Sequence, residues 1–261
     1  MSKVKALALR VASRAISTVP NSVLPQVEMA ARLGQGKGWG AATVELEVQA
    51  ALSLLPASDR VKPVVLDVGA NVGSWTAALL SLAPEATVFA FEPSQAAFSR
   101  LTDRFSDSPH VTVIQAAVGR ANGVATLWAD SAGSSLASLT RRRLNHFDID
   151  FSHSEEVSVI TLDSWRLDSG VIPTLLKIDV EGHELDVLAG ASELLKSIKV
   201  VQFEFGGCNI DTRTFFQDFF YFFDEAGYVI HRLGPKGLLQ VSRYAEIDEA
   251  FQTTNYFAKR T

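Results

Sequence analysis

Cysteine is nearly absent. Cys208 is the single one in 261 residues, which excludes an intrachain disulfide and a metal site built on clustered thiolates. That usage fits a reducing compartment, so a cytoplasmic location is expected. No motif surrounds Cys208, which reads as a bystander rather than a nucleophile. A broad basic field is also missing. Lys and Arg number 24 against 29 acids, a net charge of −5, so no nucleic-acid partner is expected. Long apolar runs are missing too. From Met1 to Val19, Lys3, Lys5, Arg10 and Arg14 interrupt the Ala, Leu, Val and Ile positions. The apolar core of a signal peptide or a membrane span is too short there. The stretch reads as a basic amphipathic helix, packed on the domain or a partner in preference to lying on a membrane surface.

What the chain has is a large apolar fraction, 47%, enough for a substantial core and too much for disorder. The length fits one large α/β domain with an extension. Residues 1–60 read as a helical extension or cap. It is broken at Pro20 to Pro25, looped through the glycines of 26–40 and helical again from Thr43 to Leu55. Residues 61–261 form the main domain. A homo-oligomer is compatible with this composition.

The organising stretch is Val64-Val65-Leu66-Asp67-Val68-Gly69-Ala70-Asn71-Val72-Gly73. A β-branched apolar run drives into a Gly-x-Asn-x-Gly turn, and helical spacing follows from Trp75 to Leu82. This is a buried parallel strand, a tight loop and a helix start. Gly69 and Gly73 allow a sharp turn and close approach of a ligand. The dinucleotide fingerprint would place a third Gly and no acid here. A diphosphate disfavours the carboxylate of Asp67, whereas a cationic ligand end suits it. The next strand, Ala86 to Phe91, ends in Glu92-Pro93-Ser94. Glu92 lies about 20 residues past the turn, where an acid grips ribose hydroxyls in such sheets. The alternative is a first-turn acid stabilised by the helix dipole. Ser94 is the candidate N-cap of a helix over 94–105.

Strands and helices then alternate, which predicts a parallel sheet. The strand Val111 to Gln115 ends in Ala116-Ala117-Val118-Gly119, small residues that leave room for a flat ring. Two alternating strands, Gly123 to Trp128 and Glu156 to Leu162, enclose an uneven polar stretch, 130–155. A loop this long in a compact domain points to a substrate lid. Its Arg141-Arg142-Arg143 run suits an anionic acceptor or a solvated helix face. Further on, Lys177-Ile178-Asp179-Val180-Glu181-Gly182-His183-Glu184 ends a buried strand and precedes a helix over 185–195. Ligands in doubly wound sheets sit beyond strand carboxyl ends, so these acids face the same crevice as Glu92. Gathered carboxylates raise one another's pKa, and imidazole suits general-base work. Asp179 with Glu181 or Glu204 also suits a hard divalent ion such as Mg2+. Aromatics at 215, 219, 222 and 223 read as a core-facing helix. Tyr228 to Leu233 and Asn255 to Ala258 read as the last strands.

These marks, with Thr161-Leu162-Asp163, run in the order found in one family. Over roughly residues 64–205 the chain resembles FkbM-type S-adenosylmethionine-dependent methyltransferases. The resemblance implies a Rossmann-like, doubly wound, seven-stranded and mostly parallel sheet with a final antiparallel hairpin. It implies S-adenosylmethionine as cofactor and O-methylation of a small-molecule acceptor, such as a sugar hydroxyl. Gly69, Asn71 and Gly73 would line the methionine and ribose part, together with Asp67 and Ala70. Glu92, beside Pro93, would hold the ribose diol, and Ala116 and Ala117 would flank the adenine. Asp179, Glu181 or His183 would take the acceptor's proton. Two other readings stand beside this one: a nucleotide-dependent oxidoreductase, and a silent binding protein on the same fold.

Overall fold

The computed structural model describes residues 3–39 and 44–261. Met1, Gly40 and Thr43 lie outside them, as do the side chains of Lys3 and Lys5. Four helices come first: α1 (Lys3–Ile16), α2 (Leu24–Gly34), α3 (Val44–Leu54) and the short α4 (Ala57–Arg60). Then follow β1 (Val64–Val68), α5 (Ser74–Leu82), β2 (Thr87–Phe91), α6 (Gln95–Arg104), β3 (Val111–Ile114), β4 (Ala117–Val118) and β5 (Gly123–Ala129). The chain continues through β6 (His153–Ile160), α7 (Leu162–Ser169), β7 (Leu175–Ile178), α8 (Glu184–Ala189), β8 (Val200–Phe205) and α9 (Cys208–Thr212). It closes with α10 (Phe216–Glu225), β9 (Tyr228–Gly234), β10 (Gly237–Val241) and β11 (Thr254–Arg260).

The main sheet has the order β10-β9-β11-β8-β7-β1-β2-β3. From β8 to β3 the strands are parallel, and the other three pair antiparallel. Apolar runs such as Val64 to Val68 and Leu175 to Ile178 occupy its centre because helices cover both faces. The strand order reverses at β1, which places a ligand crevice beyond its carboxyl end. Eight strands stand where seven were expected. The extra one is β10, which folds back on β9 through the turn before Gly237. Strand β11 inserts between β8 and β9. A second sheet, β4-β6-β5, stands beside the first.

Other expectations shift. The loop expected over 26–40 is largely helix α2, with Pro25 in its first turn, where a missing N–H costs nothing. The described side chains of α1 are exposed, Leu7 at 65% and Val11 at 63%, so none of these packs on the domain. Helix α3 does: Val48 and Ala51 are fully buried with Leu79 of α5 in one apolar cluster. The helix expected over 185–195 stops at Ala189. The Asp163 carboxylate draws the N–H groups of Glu193 and Leu194 toward itself, at 3.0 and 2.7 Å. On α10 the buried aromatics are Phe216, Phe219 and Phe223, and Phe215 is half exposed. Ser94 takes the extended N-cap position of α6, yet its hydroxyl caps nothing.

Candidate active site

The turn after β1 is set by backbone contact. Gly69 and Ala70 both donate to the carbonyl of Phe91 at 3.0 Å. Gly69 has φ +76, and a Cβ there would stand 1.8 Å from the carbonyl oxygen of Asp179. Strand ends β1 and β7 approach that closely only because Gly69 has no side chain. Gly69→Ala is therefore expected to cost about 1–3 kcal/mol for the forced shift, plus roughly 1–2 kcal/mol for the left-handed backbone. Denaturant unfolding of the variant checks this.

Glu92 is 5% exposed. One carboxylate oxygen accepts the N–H of Asn71 at 2.8 Å and the other the N–H of Ser94 at 2.9 Å. Burial raises its carboxyl to about 7 against those bonds. It lines a pocket with Gly69, Asn71, Pro93, Ala116, Ala117, Asp179, Glu181 and His183. Nine of the twelve residues singled out from the sequence thus meet in one place. Ala70 lines the adjoining cavity.

Asp67 and Gly73 line neither. Asp67 is completely buried behind the wall. Lys177 reaches one of its oxygens at 3.0 Å, and the Thr76 hydroxyl donates to the other at 2.6 Å. Its charge is already matched, so it is not free for a cationic ligand end. Lys177 also donates to the Gly69 carbonyl at 2.9 Å and lies 3.7 Å from Asp179. Burial pulls the Lys177 pKa down, but the charges of Asp67 and then Asp179 outweigh it and raise it. Gly73, at φ +77, faces Leu101 and Phe105 of the packed interior.

The acids of the β7 turn have separate partners. Glu184 is fully buried, and its carboxylate accepts the N–H groups of Val180 and Gly182 at 3.2 and 3.1 Å. It shapes the turn. Glu181 sits at φ 53, where L residues are strained. Its carboxylate pairs with Arg142, which also lies 3.5 Å from Asp211. Burial first, then the charge of Asp179, pushes Glu181 upward. The arginine run is thus neither a solvated helix face nor wholly free for an anionic acceptor. Arg142 plugs into the acids, and Arg141 lies 5.1 Å over the Trp128 ring.

His183 is held on both sides. Its Nδ1 lies 2.7 Å from Asp186 Oδ2, and its Nε2 lies 2.9 Å from the Thr140 hydroxyl. The His183 bond lowers the Asp186 pKa. A carboxylate at Nδ1 selects the tautomer with the proton there, leaving Nε2 as the acceptor. Sequence reading missed Asp186 and Thr140; a carboxylate three positions after a histidine on a helix start was the available signal.

The segment 130–152 leans over this pocket. Ser134 accepts from the Asn71 amide at 3.3 Å, and the Ser138 hydroxyl donates to the Glu181 carbonyl at 2.8 Å.

Asp179, Glu181 and Glu204 each bring an oxygen within 4.8 Å of the others. A guanidinium already meets Glu181, and an ammonium stands 3.7 Å from Asp179. Two of the three ligands are thus committed to cations, and the set as folded does not suit a divalent ion.

Residues 67–230 match the family model of the methyltransferase FkbM domain. The chain belongs to that family. This FkbM-domain chain is 29% identical over 164 residues to the 2-O-methyltransferase NoeI of Sinorhizobium fredii, covering 59% of this chain and 66% of that protein. It is 34% identical over 140 residues to the hexuronic acid methyltransferase AglP of Haloferax volcanii, covering 53% of this chain and 54% of that protein. It therefore spans between half and two thirds of these curated relatives. A crystal structure of a methyltransferase FkbM from Methylobacillus flagellatus KT superposes with a TM-score of 0.49 at 18% identity, over 75% of this chain and 43% of that one. No described helix of the FkbM-domain chain is long and apolar enough to cross a membrane.

Proposed function

We propose that this chain transfers a methyl group from S-adenosylmethionine to a hydroxyl of a sugar-like small molecule. The observation that carries the reading is Glu92. It is a buried carboxylate at the end of β2 that lines one pocket with Ala116, Ala117 and Asp179. A diol that donates to Glu92 puts a flat ring against the two alanines, and the chain beyond the ribose runs toward Gly69 and Asp179. When bound, the cofactor supplies an electrophilic methyl on a sulfonium.

The chain's own work is alignment, exclusion of water and removal of a proton. His183 is the base in this reading. Asp186 orients the ring, and an acceptor hydroxyl takes the place that Thr140 holds at Nε2. Glu181 is engaged by Arg142 and is not the base. Asp179 faces the methyl end. The segment 130–152 is the acceptor lid. Transfer to oxygen is supported by the likeness to a 2-O-methyltransferase, and the sugar class by the likeness to a hexuronic acid methyltransferase and by the hydroxyl-rich lid stretch Ser134, Ser135 and Ser138. Magnesium has no part, because Arg142 and Lys177 face the carboxylates that would bind it.

Calorimetric titration with S-adenosylmethionine tests the reading on wild type and Glu92→Ala. Losing a buried hydrogen bond to a charged group costs about 1.5–3 kcal/mol, so affinity should fall about tenfold or more. Equal affinity in the two proteins would remove Glu92 from the site. Mass spectrometry of sugar acceptors incubated with enzyme and cofactor should then find a methyl ether, and none with cofactor alone.

A further inference from the structure

Glu47 lies on α3, before the segment that matches the family. It is 9% exposed, and its carboxylate is held from two strands, one of whose residues is braced in turn from α5. Gln202 of β8 donates to it at 3.0 Å, and the Gln202 oxygen accepts the Trp75 indole N–H at 3.1 Å. Asn255 of β11 adds a further bond. Such a chain of hydrogen bonds locks one carboxylate in one direction.

Its charge has no counterpart. Among the described residues no lysine or arginine forms an ion pair with Glu47 or Glu204. Lys177, whose charge acts on Glu47 from a distance, is taken by Asp67 at 3.0 Å. Burial first, then the charge of Asp179, raises Glu47 to about 7. A buried carboxylate without a cation is costly, yet three residues are arranged to hold this one.

Glu47 lines the cavity that adjoins the Glu92 pocket and shares Gly69, Asn71 and Asp179 with it. Ser74 and Trp75 line the same cavity. They open α5, whose first N–H groups have no intrahelical acceptor and carry a partial positive charge. The cavity is thus negative at Glu47 and positive at the start of α5. An α-amino acid zwitterion has that charge pattern.

We infer that Glu47 receives the α-ammonium group of the methyl donor's amino-acid end, whose carboxylate meets the first turn of α5. This rests on the methyl-donor reading above. It gives the N-terminal part of the chain a place in the ligand site, where a cap would have none.

The test compares S-adenosylhomocysteine with methylthioadenosine, which share the adenosyl thioether and differ in the amino-acid portion. Both are titrated calorimetrically into the full-length wild type and Glu47→Gln. S-adenosylhomocysteine should bind the variant at least tenfold more weakly, with methylthioadenosine unchanged. Unchanged binding of S-adenosylhomocysteine would overturn the inference. An equal fall for both compounds would overturn it too, by making Glu47 a structural residue. A wild type that binds neither compound would instead overturn the methyl-donor reading itself.

Discussion

Lys177→Met is expected to cost about 3–5 kcal/mol of folding stability, the usual penalty for removing one partner of a buried ion pair. Asp67 would be left fully buried with only Thr76 as a partner. Asp179 would lose its neighbour at 3.7 Å. At roughly 2–4 °C per kcal/mol for a chain of this size, Tm should fall on the order of 10 °C. The deficit depends on pH with a definite sign. Lys177 now holds Glu47 and Glu92 down, so without the ammonium these two raised carboxyls rise further and the folded protein holds protons that the unfolded chain releases. Stability then falls as pH rises. The variant should be least impaired near pH 5 and most impaired near pH 8. The same sign applies, more weakly, to the ligand-free wild type. Glu47 and Glu92, each raised to about 7, stabilise it below the ordinary carboxylate range, and that contribution is lost as pH climbs through about 7. Adding Asp67→Asn to Lys177→Met should restore part of the loss, because an uncharged pair leaves no bare ion. Calorimetric scans of both variants across that pH range check the account. A Lys177→Met protein as stable as wild type would contradict the assignment of Lys177 as the counter-ion of this site.

His183→Ala should lower kcat by about a hundredfold to ten-thousandfold, the span that a positioned general base contributes. The geometry behind this is the pair of contacts on opposite sides of the ring, Asp186 at 2.7 Å and the Thr140 hydroxyl at 2.9 Å. S-adenosylmethionine affinity should stay within a factor of a few, since the proposed cofactor contacts lie at Glu92, around Gly69, and at Glu47 and the start of α5. Added imidazole separates a base from a merely structural residue: it should restore part of the variant's rate only if His183 takes the proton. Asp186→Asn should give an intermediate loss, because the amide holds the ring without fixing its tautomer. An unchanged kcat in His183→Ala would pass the proton to Asp179, which lines the same pocket.

Much of the crevice beyond β1 was legible in the sequence because local order encodes it. A β-branched run followed by Gly69 and Gly73 can only be a strand entering a sharp turn. Glu92 at the end of the next strand reaches the same crevice by the geometry of parallel sheets. What escaped was long-range pairing. Asp67 looked available to a cation because its partner, Lys177, lies more than a hundred positions away, and nothing local marks the two as neighbours. Arg142 looked like a surface charge because the segment around it has no periodicity from which to infer direction. Glu47 lay in a helix that read as part of a cap, and only the packing of Val48 and Ala51 on α5 brings it to the site. Strand β10 was missed because Gly237 to Val241 is short and lies at a sheet edge, where alternation is weak.

The central claim is that the pocket between Glu92 and Asp179 takes S-adenosylmethionine. Calorimetric titration of the wild-type chain with S-adenosylmethionine and, separately, with NADH tests it most directly. Saturable binding of S-adenosylmethionine in the micromolar range and no heat with NADH are expected. Binding of NADH without S-adenosylmethionine would contradict it and make the chain a nucleotide-dependent oxidoreductase. Binding of neither would make it a protein that keeps the fold without the cofactor.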